Sequence, residues 1–135
     1  MLSSKVILVE GDAEYILMDT LYKKQSGNST LEKDGVHVIS VGGTRFKRYL
    51  DLARLLGIKT AVVRDNDRDY DRNCLNAYAD YVNEHICVFS DEDPANWTFE
   101  ICLYKNNKAA CDELFQSGRA TLSVQDYTPW RHLPP

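Results

Sequence analysis

Few of the residues that build zinc centres or disulfide frameworks occur in this sequence. Its 135 residues include four cysteines and three histidines. No two cysteines form a C-x-x-C pair and the histidines stand apart, which argues against a zinc site of ordinary spacing. Reduced thiols in a cytoplasmic protein are the simpler interpretation of the cysteines.

Long apolar runs are also missing. No run approaches the roughly 20 residues that a membrane-spanning helix needs. The stretch MLSSK, which precedes the first apolar run, is too short for a signal peptide. We therefore expect a cytoplasmic chain that has no membrane partner.

The chain has no excess of positive charge. Its net charge is −4, so DNA binding would need a local basic patch or bound metal ions. The sequence contains neither G-x-x-x-x-G-K-[ST] nor G-x-S-x-G, which excludes a P-loop and the common serine-hydrolase arrangement. With 44% apolar residues, the chain is typical of one globular domain that has a sizeable core.

Apolar runs of strand length alternate with helical patterns along the chain. The predicted strands are residues 5–9, 36–41, 59–63 and 85–89. The predicted helices are residues 13–24, 45–56, 73–84, 98–105 and 108–117. This alternation predicts a compact Rossmann-like α/β fold, in which helices cover both faces of a central parallel sheet of about four strands.

Helical periodicity predicts which side chains of two helices face the core. For the helix at 45–56 these are Phe46, Leu50, Ala53 and Leu56. For the helix at 73–84 they are Leu75, Tyr78, Ala79 and Val82.

Acidic residues follow the ends of the predicted strands, where ligands of open parallel sheets bind. The first strand runs into EGDAE, which contains Glu10 and Glu14. The third runs into RDND, which contains Asp65 and Asp67. If these strands are neighbours, the four carboxylates share one crevice and raise one another's pKa values, a cost that a divalent cation removes. Mg²⁺ and Mn²⁺ take such oxygen ligands, so the pattern predicts a metal site.

The second strand runs into a glycine pair that is followed by basic residues. Gly42 and Gly43 would let backbone amides approach an anion, and Arg45 and Lys47 could contact a phosphate backbone. A tight turn followed by a surface basic cluster is an equally good interpretation of the same segment.

Together the motifs resemble a known domain. The strand ending ILVEG at 7–11, the strand ending VVRDND at 62–67 and the segment ISVGGTRF at 39–46 resemble the Toprim (topoisomerase–primase) domain of OLD-family (overcoming lysogenization defect) nucleases. The resemblance covers about residues 4–105. We therefore predict a Toprim-like catalytic domain at residues 1–118, followed by a C-terminal extension or truncated continuation at 119–135.

The resemblance implies a DNA endonuclease that uses Mg²⁺ or Mn²⁺ to hydrolyse phosphodiester bonds by a one- or two-metal mechanism. By position, Glu10, Asp65 and Asp67 match the catalytic acids, and Glu14 and Glu100 match the further metal ligands. Implied partners are DNA and an ABC-type ATPase domain or subunit, and the chain could form a homo-oligomer. The family's ATPase domain and its later lysine have no counterpart here, which indicates a fragment, a truncated gene product or a stand-alone domain.

Two alternatives stay open. A receiver-type signalling domain would use Asp65 as its phosphoacceptor, although no proline follows this aspartate closely and no Lys-Pro pair occurs. A catalytically silent Toprim domain would bind DNA or an ATPase partner without cleaving DNA.

Overall fold

A computed structural model describes residues 5–43 and 45–116, without the side chains of residues 115 and 116. The strands are β1 (Lys5–Val9), β2 (Val36–Ser40), β3 (Lys59–Val63) and β4 (Ile86–Phe89). The helices are α1 (Asp12–Gln25), α2 (Phe46–Leu56), α3 (Phe99–Asn106) and α4 (Lys108–Gln116), and a π-helical segment spans Asp71–Asn76.

The described residues divide after Glu100 into two compact units. Among these residues, no helix combines the length and the apolar character that crossing a membrane requires. The predicted extension at 119–135 lies outside the described residues.

The four strands form one parallel sheet in the order β2-β1-β3-β4. From β1 the chain moves outward to β2, and from β2 it crosses back over β1 to reach β3. Because such crossovers are right-handed, α1 and α2 lie on opposite faces of the sheet. This confirms the predicted α/β class. The reversal also creates a crevice at the carboxyl ends of β1 and β3, where ligands of open α/β sheets bind.

The main core lies between the sheet and α2. Phe46 and Leu50 of α2 are completely buried and pack with apolar strand residues, of which Leu8, Val62 and Ile86 are also buried. The ring of Phe46 meets that of Tyr78 edge-on at 6.3 Å. Burying one such aromatic side chain stabilises the fold by about 2–3 kcal/mol. This core holds β1 and β3 side by side and so positions the residues that follow them.

The predicted helix at 73–84 is wrong in type and extent. The chain forms a π-helical segment at Asp71–Asn76 and continues mainly in turns. Cys74, in the π-helical segment, faces inward and is 3% exposed; Tyr78, which follows the segment, is 2% exposed and buried as predicted. The predicted core positions Leu75 and Val82 are instead 51% exposed each.

Two further predicted core positions are also open to solvent. Ala79, in the turns after the π-helical segment, is exposed. Leu56 is 59% exposed because α2 ends there and Gly57 turns the chain with a φ of 64°. The other three predicted core residues of α2 are buried as predicted: Phe46, Leu50 and Ala53.

Candidate active site

Glu10 and Asp65 follow the two central strands at the same edge of the sheet. Glu10 comes directly after Val9 and Asp65 two residues after Val63, and these valines are opposite each other in the register. The backbone N–H of Asp65 donates a hydrogen bond to Oε2 of Glu10 at 3.4 Å. Oδ1 of Asp65 accepts a hydrogen bond from the backbone N–H of Phe99 at 2.8 Å. The ends of β1 and β3 therefore converge, which meets the condition for the predicted crevice.

Burial and nearby negative charges raise the pKa values of both carboxyls. The pKa of Asp65 rises to about 7, first because burial disfavours the charged form and then because Glu10 is close. Burial also raises the pKa of Glu10; the Asp65 amide and the Arg64 charge oppose this rise, whereas the charges of Asp67 and Glu100 add to it. Keeping both carboxylates ionised at neutral pH therefore costs free energy, which a cation placed between them would offset.

Glu14 brings a third carboxylate to this edge from α1. It is 4% exposed and is the only described buried residue of that helix. Burial raises its pKa, the backbone N–H groups of Glu14 and Gly11 lower it, and the charges of Glu100 and Glu10 raise it further. A Cβ added at Gly11 would lie 3.2 Å from Oε2 of Glu14, so the glycine leaves room for this carboxylate.

Asp67 reaches the site through a loop, not through strand alternation. Its backbone φ is 51°, in the left-handed region, so the alternation of side chains along a strand does not extend to this residue. Its Oδ2 accepts a hydrogen bond from the Arg64 guanidinium at 2.9 Å. The same guanidinium donates to the hydroxyl of Tyr78 at 3.2 Å and to the carbonyl of Asp65 at 2.8 Å.

Two residues of this edge do not stand out in the sequence. Arg64 is 7% exposed and Asn66 is completely buried, yet both occur in a polar run that reads as a surface loop. A single arginine or asparagine has no periodic pattern that would reveal burial. The only signal is position, since both lie within three residues of the end of a central strand.

A comparison with protein-family models matches residues 1–67 to the TOPRIM domain of the overcoming lysogenization defect protein-like (OLD-like) family. The match includes β1, β2 and β3 and ends at the second aspartate of the D-x-D motif. Residues 1–67 therefore match the OLD-like TOPRIM domain, in agreement with the resemblance that the sequence motifs indicate. Comparisons with curated proteins and with solved structures give no match. TOPRIM domains are nuclease-related and generally bind divalent metals such as Mg²⁺.

The carboxylates at this edge of the sheet have the oxygen ligands that a hard divalent cation prefers. Glu100, in the first turn of α3, adds its charge to those that raise the pKa values of Glu10, Glu14 and Asp65. Within residues 5–43 and 45–116, no three acidic, histidine or cysteine side chains are arranged as a ready-made metal cluster. The acids therefore share an electrostatic field, while several of their oxygens are held by protein donors.

Some groups of the glycine and basic segment, residues 42–47, already make contacts within the protein. Gly42 and Gly43 have φ values of 66° and 83°, which glycine adopts without strain. The N–H of Gly43 donates to the carbonyl of Glu10 at 3.2 Å, so this amide is already used. The ammonium of Lys47 lies 5.9 Å from the ring of Tyr78. Phosphate binding by Gly42, Arg45 and Lys47 stays a prediction.

Proposed function

We propose that this chain is a divalent-metal-dependent DNA endonuclease domain that nicks or cleaves DNA by hydrolysing phosphodiester bonds. The observation that carries the proposal is the convergence of Glu10 and Asp65 at the crevice between β1 and β3. Burial first, and then the neighbouring charge of Glu10, raises the pKa of Asp65 to about 7. The match of residues 1–67 to the OLD-like TOPRIM domain supports the same chemistry.

Five carboxylates would hold Mg²⁺ or Mn²⁺ in this proposal. Glu10, Asp65 and Asp67 would hold one ion, and Glu14 and Glu100 a second. Bound there, such ions would supply a water of lowered pKa and positive charge for the leaving oxygen. The protein itself holds the Asp67 carboxylate with Arg64, at 2.9 Å.

DNA binding must overcome the acidity of the chain. The net charge is −4, so attraction to phosphate has to come from bound metal and from local cations. Arg45 and Lys47, both exposed near the start of α2, are the proposed phosphate contacts. An ABC-type ATPase partner and a homo-oligomer remain predictions from the resemblance.

The direct test is nicking of supercoiled plasmid in Mn²⁺ by the full chain. Asp65→Asn keeps the size of the side chain and the oxygen that accepts from Phe99, but it removes the charge. We expect it to abolish nicking while the circular dichroism spectrum stays unchanged. Asp51→Asn, on the exposed face of α2, is the matched control and should nick like the wild type.

Three outcomes separate the candidate functions. Full activity of Asp65→Asn would refute the nuclease proposal. Mn²⁺ binding by calorimetry without any nicking would select a catalytically silent TOPRIM domain. Stable labelling of Asp65 by a small phosphodonor would select the receiver-type alternative.

A further inference from the structure

Asn66, the middle residue of the D-x-D motif, is the most completely buried polar side chain of this edge, with 0% exposure. Its amide nitrogen donates towards three carbonyl oxygens of the 91–97 loop. These belong to Asp91 at 2.7 Å, Asp93 at 2.9 Å and Asn96 at 3.3 Å. Since carbonyls only accept, the nitrogen of the amide must face them.

The oxygen of the same amide stabilises the backbone conformation of the residues that follow Asn66. Oδ1 of Asn66 accepts a hydrogen bond from the backbone N–H of Arg68 at 2.7 Å. Asp67 and Arg68 have φ values of 51° and 70°, and two successive non-glycine residues in the left-handed region are costly. The structure compensates this cost with the Asn66 contact and with a bond from the Asp67 N–H to the carbonyl of Trp97 at 3.2 Å.

The 91–97 loop, to which Asn66 is hydrogen-bonded, also leads to Glu100 and to the N–H group that binds Asp65. Two residues after the 91–97 loop comes Phe99, whose backbone N–H donates a hydrogen bond to Oδ1 of Asp65 at 2.8 Å. Glu100 is the next residue, and its charge acts on Asp65. Asn66 therefore lies between the two aspartates of the motif and fastens them to the segment that carries Glu100.

We propose that Asn66 is a positioning residue of the acidic site. By tying the 64–69 loop to the 91–97 loop, it sets where the carboxylates of Asp65, Asp67 and Glu100 lie, without touching the metal or DNA. This inference rests on the proposed function for the metal that these acids would hold. The side chain must be an amide, because a carboxylate here would face three carbonyl oxygens and an alanine would remove the hydrogen bonds that the amide donates to them.

The test uses the full chain carrying Trp130→Phe, which leaves Trp97 as the only one of the two tryptophans. Trp97 reports on the 91–97 loop because the Arg68 guanidinium lies over its ring at 4.2 Å. Asn66→Ala is compared with Thr60→Val. Thr60 is a buried polar residue at the opposite end of β3, where its hydroxyl donates to the carbonyl of Ile58 at 3.1 Å, so the control removes a buried hydrogen bond far from the loop.

Two quantities are measured well below the unfolding temperature: acrylamide quenching of Trp97 fluorescence and Mn²⁺ affinity by calorimetry. In Asn66→Ala we expect stronger quenching and an affinity weaker by about tenfold or more, the usual effect of removing a residue that orients metal ligands. Thr60→Val should match the wild type in both. Unchanged quenching and unchanged affinity in Asn66→Ala would overturn the proposal, as would an equal loss in Thr60→Val.

Failure of the proposed function gives a different result. If the wild type binds no Mn²⁺, the metal site is refuted, and the quenching comparison still decides whether Asn66 sets the loop. If Asn66→Ala does not fold, Asn66→Ser replaces it, since the hydroxyl can keep one of the donated hydrogen bonds. A weaker shift in the same direction then supports positioning, and wild-type values in both measurements overturn it.

Discussion

Replacing Asp65 by asparagine should stabilise the protein in the absence of metal. Burial and the neighbouring carboxylates raise the pKa of Asp65 from 3.8 to about 7. At pH 8 the folded protein therefore carries a charge that its surroundings oppose, whereas the unfolded chain carries it freely. Asparagine keeps the shape and the acceptor for the Phe99 N–H, and it has no charge to repel.

The size of the gain follows from the pKa. Each pKa unit is worth about 1.4 kcal/mol, so the full rise corresponds to about 4 kcal/mol. Because Asp65 is only partly buried, solvent screening reduces this to about 2 kcal/mol. In the folded state the Asp65 carboxyl keeps its proton up to about pH 7, whereas in the unfolded chain it loses the proton near pH 4. The free energy of unfolding of the wild type therefore falls as the pH rises from about 4 to about 7. The Asp65→Asn variant should not show this pH-dependent fall in stability, because asparagine does not ionise.

Urea unfolding with a chelator present measures the effect at pH 8 and at pH 4. We expect Asp65→Asn to exceed the wild type by about 2 kcal/mol at pH 8, and the difference to vanish near pH 4. Asp51→Asn, which removes an exposed partner of Arg54 at 3.5 Å, should change stability by less than about 0.5 kcal/mol. An Asp65→Asn protein no more stable than the wild type at pH 8 would refute the electrostatic account of the site.

Glu14→Gln should likewise stabilise the metal-free protein at pH 8, because burial raises the pKa of this carboxyl, and it should weaken Mn²⁺ binding. Urea unfolding measures the stability and calorimetry the Mn²⁺ affinity; a loss of stability at pH 8 would contradict the prediction. Phe46→Ala should lower the free energy of unfolding by about 3–5 kcal/mol, because the ring is 0% exposed; a change under about 1 kcal/mol would show that the core lies elsewhere. Gly57→Ala should cost about 1 kcal/mol or more in urea unfolding, because its φ of 64° strains any residue with a Cβ; an alanine variant as stable as the wild type would contradict the left-handed turn.

The sheet was predictable because its strands are short apolar runs bounded by helical patterns. The predicted bounds 5–9 and 59–63 agree with β1 and β3, and those of β2 and β4 differ by one residue. Periodicity failed at 73–84 because it assumes a constant 3.6-residue turn, which the π-helical segment does not have. Leu75 then turns outward, and Cys74 takes its place against the core.

The site was predictable to the extent that it depends on strand ends. Adjacency of β1 and β3 brings Glu10 to Asp65, and this adjacency is the condition on which the predicted metal site depends. The place of Asp67 depends instead on a left-handed loop, and the burial of Arg64 and Asn66 depends on contacts with Tyr78 and the 91–97 loop. These are long-range packing facts, which local sequence patterns do not encode.

A crystal soaked in Mn²⁺, with the ions located by their anomalous scattering, tests the central claim most directly. The account predicts at least one ion at the carboxyl ends of β1 and β3, with oxygens of both Glu10 and Asp65 among its ligands. Mn²⁺ bound only at other acids of the surface, with Glu10 and Asp65 still paired as they are here, would contradict it.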